Sequence, residues 1–219
     1  GKIETLAPTL RQLFFASLLM GLAGVVRFQA NFFIVGLFIW LVLFHRSSIK
    51  TLLVFCSGIL IANSIGILCD KWFYGTWELT GWNYFYQNII LHKAEHFGRE
   101  PIWYYFEHTF TDAFPPFSLL IIGSFLFFYF KNPRSYLTCT TGVFLLGHFL
   151  SSHKDERFLF LFFSFVPIFI VLAYQEILNS EKHRRLQDFF ASKFSRVMKS
   201  VFIYTNYILL AYYTFKPAD

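Results

Sequence analysis

The stretch FLLGHFLSSHKDERFLFLFF, Phe144–Phe163, decides how this chain is read. Five consecutive ionisable side chains, His153-Lys154-Asp155-Glu156-Arg157, stand between an apolar run ending near Ser152 and another opening at Phe158. Charge next to hydrocarbon is costly unless it meets a polar surface, a partner or a ligand. The stretch therefore predicts two membrane-crossing helices joined at the membrane surface.

Composition supports that reading. Of 219 residues, 56% are hydrophobic, 22% aromatic and only 15% charged, with mean hydropathy +0.49. Soluble domains carry about 25% charged residues, so the expected class is an all-α integral membrane protein. The net charge of +6 is not read as a nucleic-acid signal, because it sorts with topology. Cys56, Cys69 and Cys139 show no metal-ligand spacing and read as packing residues.

Working outward, apolar runs cover Leu13–Val26, Phe32–Phe44, Thr51–Cys69, Phe117–Phe130, Tyr136–Leu150, Phe158–Tyr174 and Val201–Phe215. About seven spans follow in a single domain, residues 1–219, although several runs fall short of the roughly 20 residues a span takes. Arg27-Phe28-Gln29 reads as a tight polar turn between two antiparallel helices; the competing reading, one kinked helix, would bury an arginine at mid-bilayer. Residues 70–116 form a long outer loop rich in Trp and Tyr, expected to hug the membrane with short interfacial helices. Residues 176–199 are basic, with Phe189, Phe190, Phe194 and Val197 at helical spacing, and predict an amphipathic surface segment.

Threading seven crossings puts Arg11, Arg46, Lys50, Lys131, Arg134, Lys182, Arg184, Arg185, Lys193, Arg196 and Lys199 on one face. The positive-inside bias makes that face cytoplasmic. Arg27, the 70–116 loop and the His153 cluster then share the opposite face.

Two readings of the cluster stand side by side. It is a salt-bridged membrane edge, or Arg157 and Lys154 hold an anionic lipid headgroup whose tail stays in the bilayer. Arg27 likewise either snorkels or closes a site. His92 and His96 lie one helical turn apart but lack the metalloprotease order. Ser151, His153 and Asp155 are too close in sequence to form a catalytic relay easily, and His148 reads as a packing residue.

Ser152-His153-Lys154-Asp155-Glu156-Arg157-Phe158-Leu159-Phe160 resembles the His-Lys-acid-Glu-Arg-Phe signature of the Alg9-like mannosyltransferases, glycosyltransferase family 22. Gly21-Leu22-Ala23 followed by Arg27-Phe28-Gln29 resembles the family's upstream helix motif. Asp70, Phe73-Tyr74-Gly75-Thr76-Trp77, Thr80 and Asn83 through Asn88 resemble its long outer loop, and Gly98, Pro101 and Trp103-Tyr104-Tyr105-Phe106 continue it in order. That last segment leans toward the glycosylphosphatidylinositol mannosyltransferase 3 branch. Gly81-Trp82 departs from relatives that carry Pro there, which leaves the acceptor open.

The resemblance implies a polytopic GT-C bundle and a polyprenyl-phosphate mannose donor of the dolichyl-phosphate type. It implies α-mannosyl transfer with inversion to a lipid-linked glycan or glycolipid acceptor at the outer or lumenal face. No cofactor, obligatory metal or nucleic-acid partner is expected. The setting would be a multi-pass protein of the endoplasmic reticulum membrane or bacterial inner membrane. Carried onto matching positions, Arg157, Lys154, His153 and Glu156 are donor-phosphate candidates. Asp70, Tyr74, Trp77, Asn83 and Asn88 are sugar- or acceptor-side candidates, with Arg27, Gln29 and Asp155 in support. The family's base is expected on an acidic first outer loop not found here, so the chain reads as a C-terminal portion. The other classes in play are a transporter or flippase for a lipid-linked sugar and a non-catalytic membrane subunit.

Overall fold

Side-chain caps mark where helices begin. Thr9 closes a reciprocal capping box with Gln12 at the head of α1, Leu10–Val26. Gln29 precedes α2, Ala30–Leu43, without a side-chain cap. Ser48 accepts from the Thr51 N–H at the start of α3, Ile49–Tyr74, and Gly75 ends that helix in the left-handed region at φ 77°, where glycine carries no Cβ penalty. A computed structural model describes residues 9–113 and 117–215 of the chain.

The order continues with α4, Thr80–Phe85, a π turn at Tyr86–Ile90 and a 3-10 turn at Lys93–Phe97. Then come α5, Tyr104–Asp112, α6, Phe117–Lys131, and α7, Tyr136–Leu150. A 3-10 turn at Glu156–Leu159 leads into α8, Phe160–Phe163, and α9, Val166–Asn179. After a 3-10 turn at Glu181–His183 the chain ends in α10, Arg184–Ala191, and α11, Lys193–Phe215. The all-α expectation holds: no strand occurs among the described residues.

One described helix, α3 with 26 residues, is long and apolar enough to cross a membrane. At 1.5 Å per residue it measures about 39 Å. Glu156–Phe163 and Val166–Asn179 pass the same criterion only together, as a broken pair, while α1, α2, α6 and α7 are shorter apolar helices. Helix α3 runs beyond the apolar stretch Thr51–Cys69, so Asp70 stands on its last turns instead of opening a loop.

The chain divides into two units, Gly1–Phe169 and Ile170–Asp219. In the first, α1 packs along α3, and α2 packs along α7. Both pairings depend on missing side chains. A Cβ on Gly21 would stand 2.6 Å from the Ala62 Cβ, and one on Gly36 would stand 2.6 Å from the Thr140 Cα. Small residues at such positions let helix backbones approach closely. Ile34, Leu41 and Phe55 form one buried cluster, with Leu13, Met20, Trp40 and Ile59 against it. Phe144, fully buried, stacks on Phe33 at 4.3 Å. Buried His148 places Nδ1 2.7 Å from the Phe144 carbonyl oxygen, a packing residue as its isolation in an apolar run suggests.

In the second unit, α10 packs on α11. The Gln187 amide donates to the Ile177 and Ser180 carbonyls at 2.8 Å, and Tyr174 meets Phe190 edge-on. Residues 193–199 and the last apolar run form a single helix.

Candidate functional site

Helix α7 ends where Ser151 turns to extended backbone, and residues 153–155 lead to a cap. Asp155 makes that cap, accepting the Arg157 N–H at 2.9 Å. The same carboxylate grips the Arg157 guanidinium: Nε donates to Oδ1 at 2.9 Å and Oδ2 at 3.0 Å, and Nη2 donates to Oδ2. The arginine side chain is 75% exposed and its partner 23%. Hydrogen bonding from Arg157 pulls the Asp155 carboxyl down to about 2. The pair presents an outward-facing guanidinium oriented by its own carboxylate.

Lys154 points the other way. It is buried, and its ammonium donates to the Ser151 and Glu100 carbonyl oxygens. Burial pushes the amine below its usual range while Glu100 opposes that shift. The charge is spent on backbone carbonyls, which tie residues 151–154 to residue 100.

Three distant segments converge on the cluster. From the α1–α2 turn, Arg27 Nη2 donates to the Arg157 carbonyl oxygen at 3.1 Å. From residues 92–100, Glu95 accepts the Ser152 hydroxyl at 3.0 Å, and the Glu100 N–H donates to the Ser152 carbonyl at 3.0 Å. Glu95 also meets His92 at 3.2 Å and pairs with Arg99. From α5, His108 Nδ1 lies 2.9 Å from Glu156 Oε1 and 3.4 Å from Asp112 Oδ2. His153 packs edge-on against Phe158. Ser151 Oγ donates to the His153 carbonyl oxygen, a backbone contact and not a triad relay.

The outer-loop candidates form a second group. Asp70 accepts from the Thr80 hydroxyl at 2.6 Å and the Thr80 N–H at 3.3 Å, fastening α4 to α3. Asn83 donates to Glu78 at 3.3 Å, and Asn88 to the Tyr84 carbonyl at 2.9 Å. Tyr74 and Trp77 are exposed, with Lys71 over the Trp77 ring. Phe28 joins this group to the α1–α2 turn, touching the Tyr84 ring at 5.2 Å and the Phe85 ring at 6.2 Å. The Arg27-Phe28 dipeptide thus reaches the His153–Arg157 segment with one side chain and α4 with the next. Gln29 makes no capping bond.

Sequence reasoning missed Glu95, Glu100 and His108 as partners of the cluster. One signal was present: His108 and Asp112 are four apart on a helical stretch and share a face. Beside that face lies a cleft of about 270 Å³, lined by Tyr105, His108, Asp112 and Glu156 and, on its apolar side, Phe160 and Phe163.

The profile of the Alg9-like mannosyltransferase family matches residues 4–216. A probable Dol-P-Man:Man(7)GlcNAc(2)-PP-Dol alpha-1,6-mannosyltransferase of Schizosaccharomyces pombe is 28% identical over 144 residues, covering 65% of this chain and 26% of that protein. GPI alpha-1,2-mannosyltransferase 3 of Danio rerio is 28% identical over 115 residues, covering 52% of this chain and 21% of that protein. The matched portion is therefore about a quarter of the length of these relatives. No solved structure matches the chain.

Proposed function

Because this chain belongs to the Alg9-like mannosyltransferase family, we propose that it serves mannosyl transfer from a polyprenyl-phosphate donor of the dolichyl-phosphate type. The acceptor is a lipid-linked glycan or glycolipid at the lumenal face of the endoplasmic reticulum membrane. The anomeric carbon is attacked by an acceptor hydroxyl from the face opposite the phosphate. The carbon–phosphate oxygen bond breaks with inversion, polyprenyl phosphate leaves, and a base takes the hydroxyl proton. A GT-C-like polytopic bundle suits this reaction, because the lipid tails of both substrates stay in the bilayer while their headgroups meet at its surface.

The observation that carries the reading is the exposed Arg157 guanidinium, oriented by Asp155 and held from behind by Arg27. Asp155 engages the fork through Nε and Nη2. The remaining Nη1 edge is the natural place for a phosphate oxygen, where an arginine stabilises charge on the leaving group. Lys154 acts beneath it as a positioning residue, and His153 and Glu156 flank it. Asp70, Tyr74, Trp77, Asn83 and Asn88 border the acceptor side, with Gln29 at the turn between the two groups. Apolar side chains around whole helix circumferences support several crossings: Leu19 on α1 and Leu53 and Leu60 on α3 are exposed, as lipid-facing residues are.

Membranes containing the protein, supplied with dolichyl-phosphate mannose carrying radiolabelled mannose and a lipid-linked glycan, test this. Arg157→Ala should lower transfer by about a hundredfold or more, the loss of one charge-stabilising donor, at normal abundance. Unchanged transfer at normal abundance would return the cluster to a purely structural role.

A further inference from the structure

Beside the Asp155–Arg157 pair, an imidazole and two carboxylates meet at the mouth of the 270 Å³ cleft. His108 and Asp112 project from successive turns of α5, and Glu156 comes from the turn after α7. One donor atom from each lies within 4.8 Å of the other two. His108 Nδ1 is shielded from solvent and makes no aligned hydrogen bond, although Glu156 Oε1 is 2.9 Å away and Asp112 Oδ2 is 3.4 Å away. Two carboxylates converge on one imidazole nitrogen, and neither lies in line with it as a hydrogen-bond acceptor.

The two spacings at His108 Nδ1, 2.9 Å and 3.4 Å, match those of neighbouring ligand atoms around a cation. With metal–ligand bonds of about 2.1 Å, neighbouring ligands stand about 3.0 Å apart in octahedral and about 3.4 Å apart in tetrahedral geometry. Orienting contacts surround the three residues. The Thr111 hydroxyl donates to Asp112 Oδ1 at 3.1 Å, leaving Oδ2 toward His108, and the Tyr104 ring lies against the imidazole at 4.1 Å. Partners of this kind orient metal ligands.

We propose that His108, Asp112 and Glu156 are three ligands of a divalent cation, with its remaining positions open to the cleft. One imidazole and two carboxylates suit manganese or zinc better than the all-oxygen cations. The open positions suit anionic oxygen, and the cation resolves the repulsion that two carboxylates would otherwise present to a phosphate entering the cleft. The site is separate from the His92–His96 pair, and metal binding there stands independently of mannosyl transfer.

The test is manganese titration of the full chain, purified in detergent and stripped with chelator, followed by loss of the free-ion paramagnetic resonance signal. The wild type should bind one ion per chain and gain thermal stability with it. Asp112→Asn/Glu156→Gln and His108→Ala should weaken binding about a hundredfold or more. Thr111→Val keeps all three ligands and should weaken binding about tenfold, the usual effect of an outer-shell partner, so it remains informative if a ligand variant misfolds. Absence of manganese binding by the wild type overturns the proposal. Undiminished binding by Asp112→Asn/Glu156→Gln or by Thr111→Val does the same.

Discussion

Arg27 donates from Nη2 to the main-chain carbonyl oxygen of Arg157 at 3.1 Å, across 130 residues of sequence. The first arginine thereby holds the backbone of the second, while the second presents its guanidinium outward. Arg27 therefore works on the cluster through position. Arg27→Lys keeps the charge but loses the planar fork. Both Arg27→Lys and Arg27→Ala should lower transfer about five- to tenfold, matching one hydrogen bond of about 1 kcal/mol. KM for the donor should rise more than kcat falls. Equal kinetics for wild type and both variants would show that the bond contributes nothing.

Asp155 predicts an acid-limb effect. Its folded-state value of about 2 lies below the unfolded value of about 3.9. The stabilisation is therefore complete above about pH 5 and is lost as pH falls through about 2. Wild type should exceed Asp155→Asn in melting temperature at pH 7, with the gap closing as the buffer is taken from pH 5 toward pH 2. A gap that stays constant over that range would mean the carboxylate is not held by Arg157 in solution.

Lys154 is buried with its ammonium on two carbonyl oxygens. Lys154→Met leaves both acceptors without that donor, at about 1–3 kcal/mol each if water does not replace it. Thermal unfolding in detergent should drop accordingly, and transfer should fall with it because the loop carrying Arg157 loosens. Full stability with selective loss of donor binding would instead place the ammonium on the substrate.

Gly36 tests the α2–α7 approach. A Cβ there would meet the Thr140 Cα at 2.6 Å and the Cys139 carbonyl oxygen at 2.7 Å, both main-chain atoms unable to rotate away. Gly36→Ala should destabilise by about 1–3 kcal/mol. Gly142→Ala on α7, where a Cβ meets nothing within 4 Å, should be tolerated. Similar melting temperatures for the two variants would contradict the packing described.

The sequence by itself determined the all-α class and the family, though not every helix boundary. Apolar runs, serine and threonine caps, and the unbroken His153–Arg157 block are local features, readable without knowing what lies opposite them. The Asp155–Arg157 pair is local in the same way, two residues apart on one turn. Only the tertiary structure decided that α1 lies along α3 and α2 along α7, that Lys154 turns inward, and that Arg27, Glu95, Glu100 and His108 close on the cluster. The physical reason lies in the helices themselves. Helices α1 and α2 show almost no amphipathic bias, so hydrophobic patterning does not mark the face that packs. Buried small residues do, Ser17, Gly21 and Gly24 on α1 and Gly58, Ala62 and Gly66 on α3, with Ser17 against Gly58 and Gly21 against Ala62. Pairing then rests on close approach at Gly21, Gly36 and Gly58, and approach depends on shape in three dimensions. The Arg157 segment was legible as a charged block from the start, but the partners that hold it in place became visible only once the helices were packed.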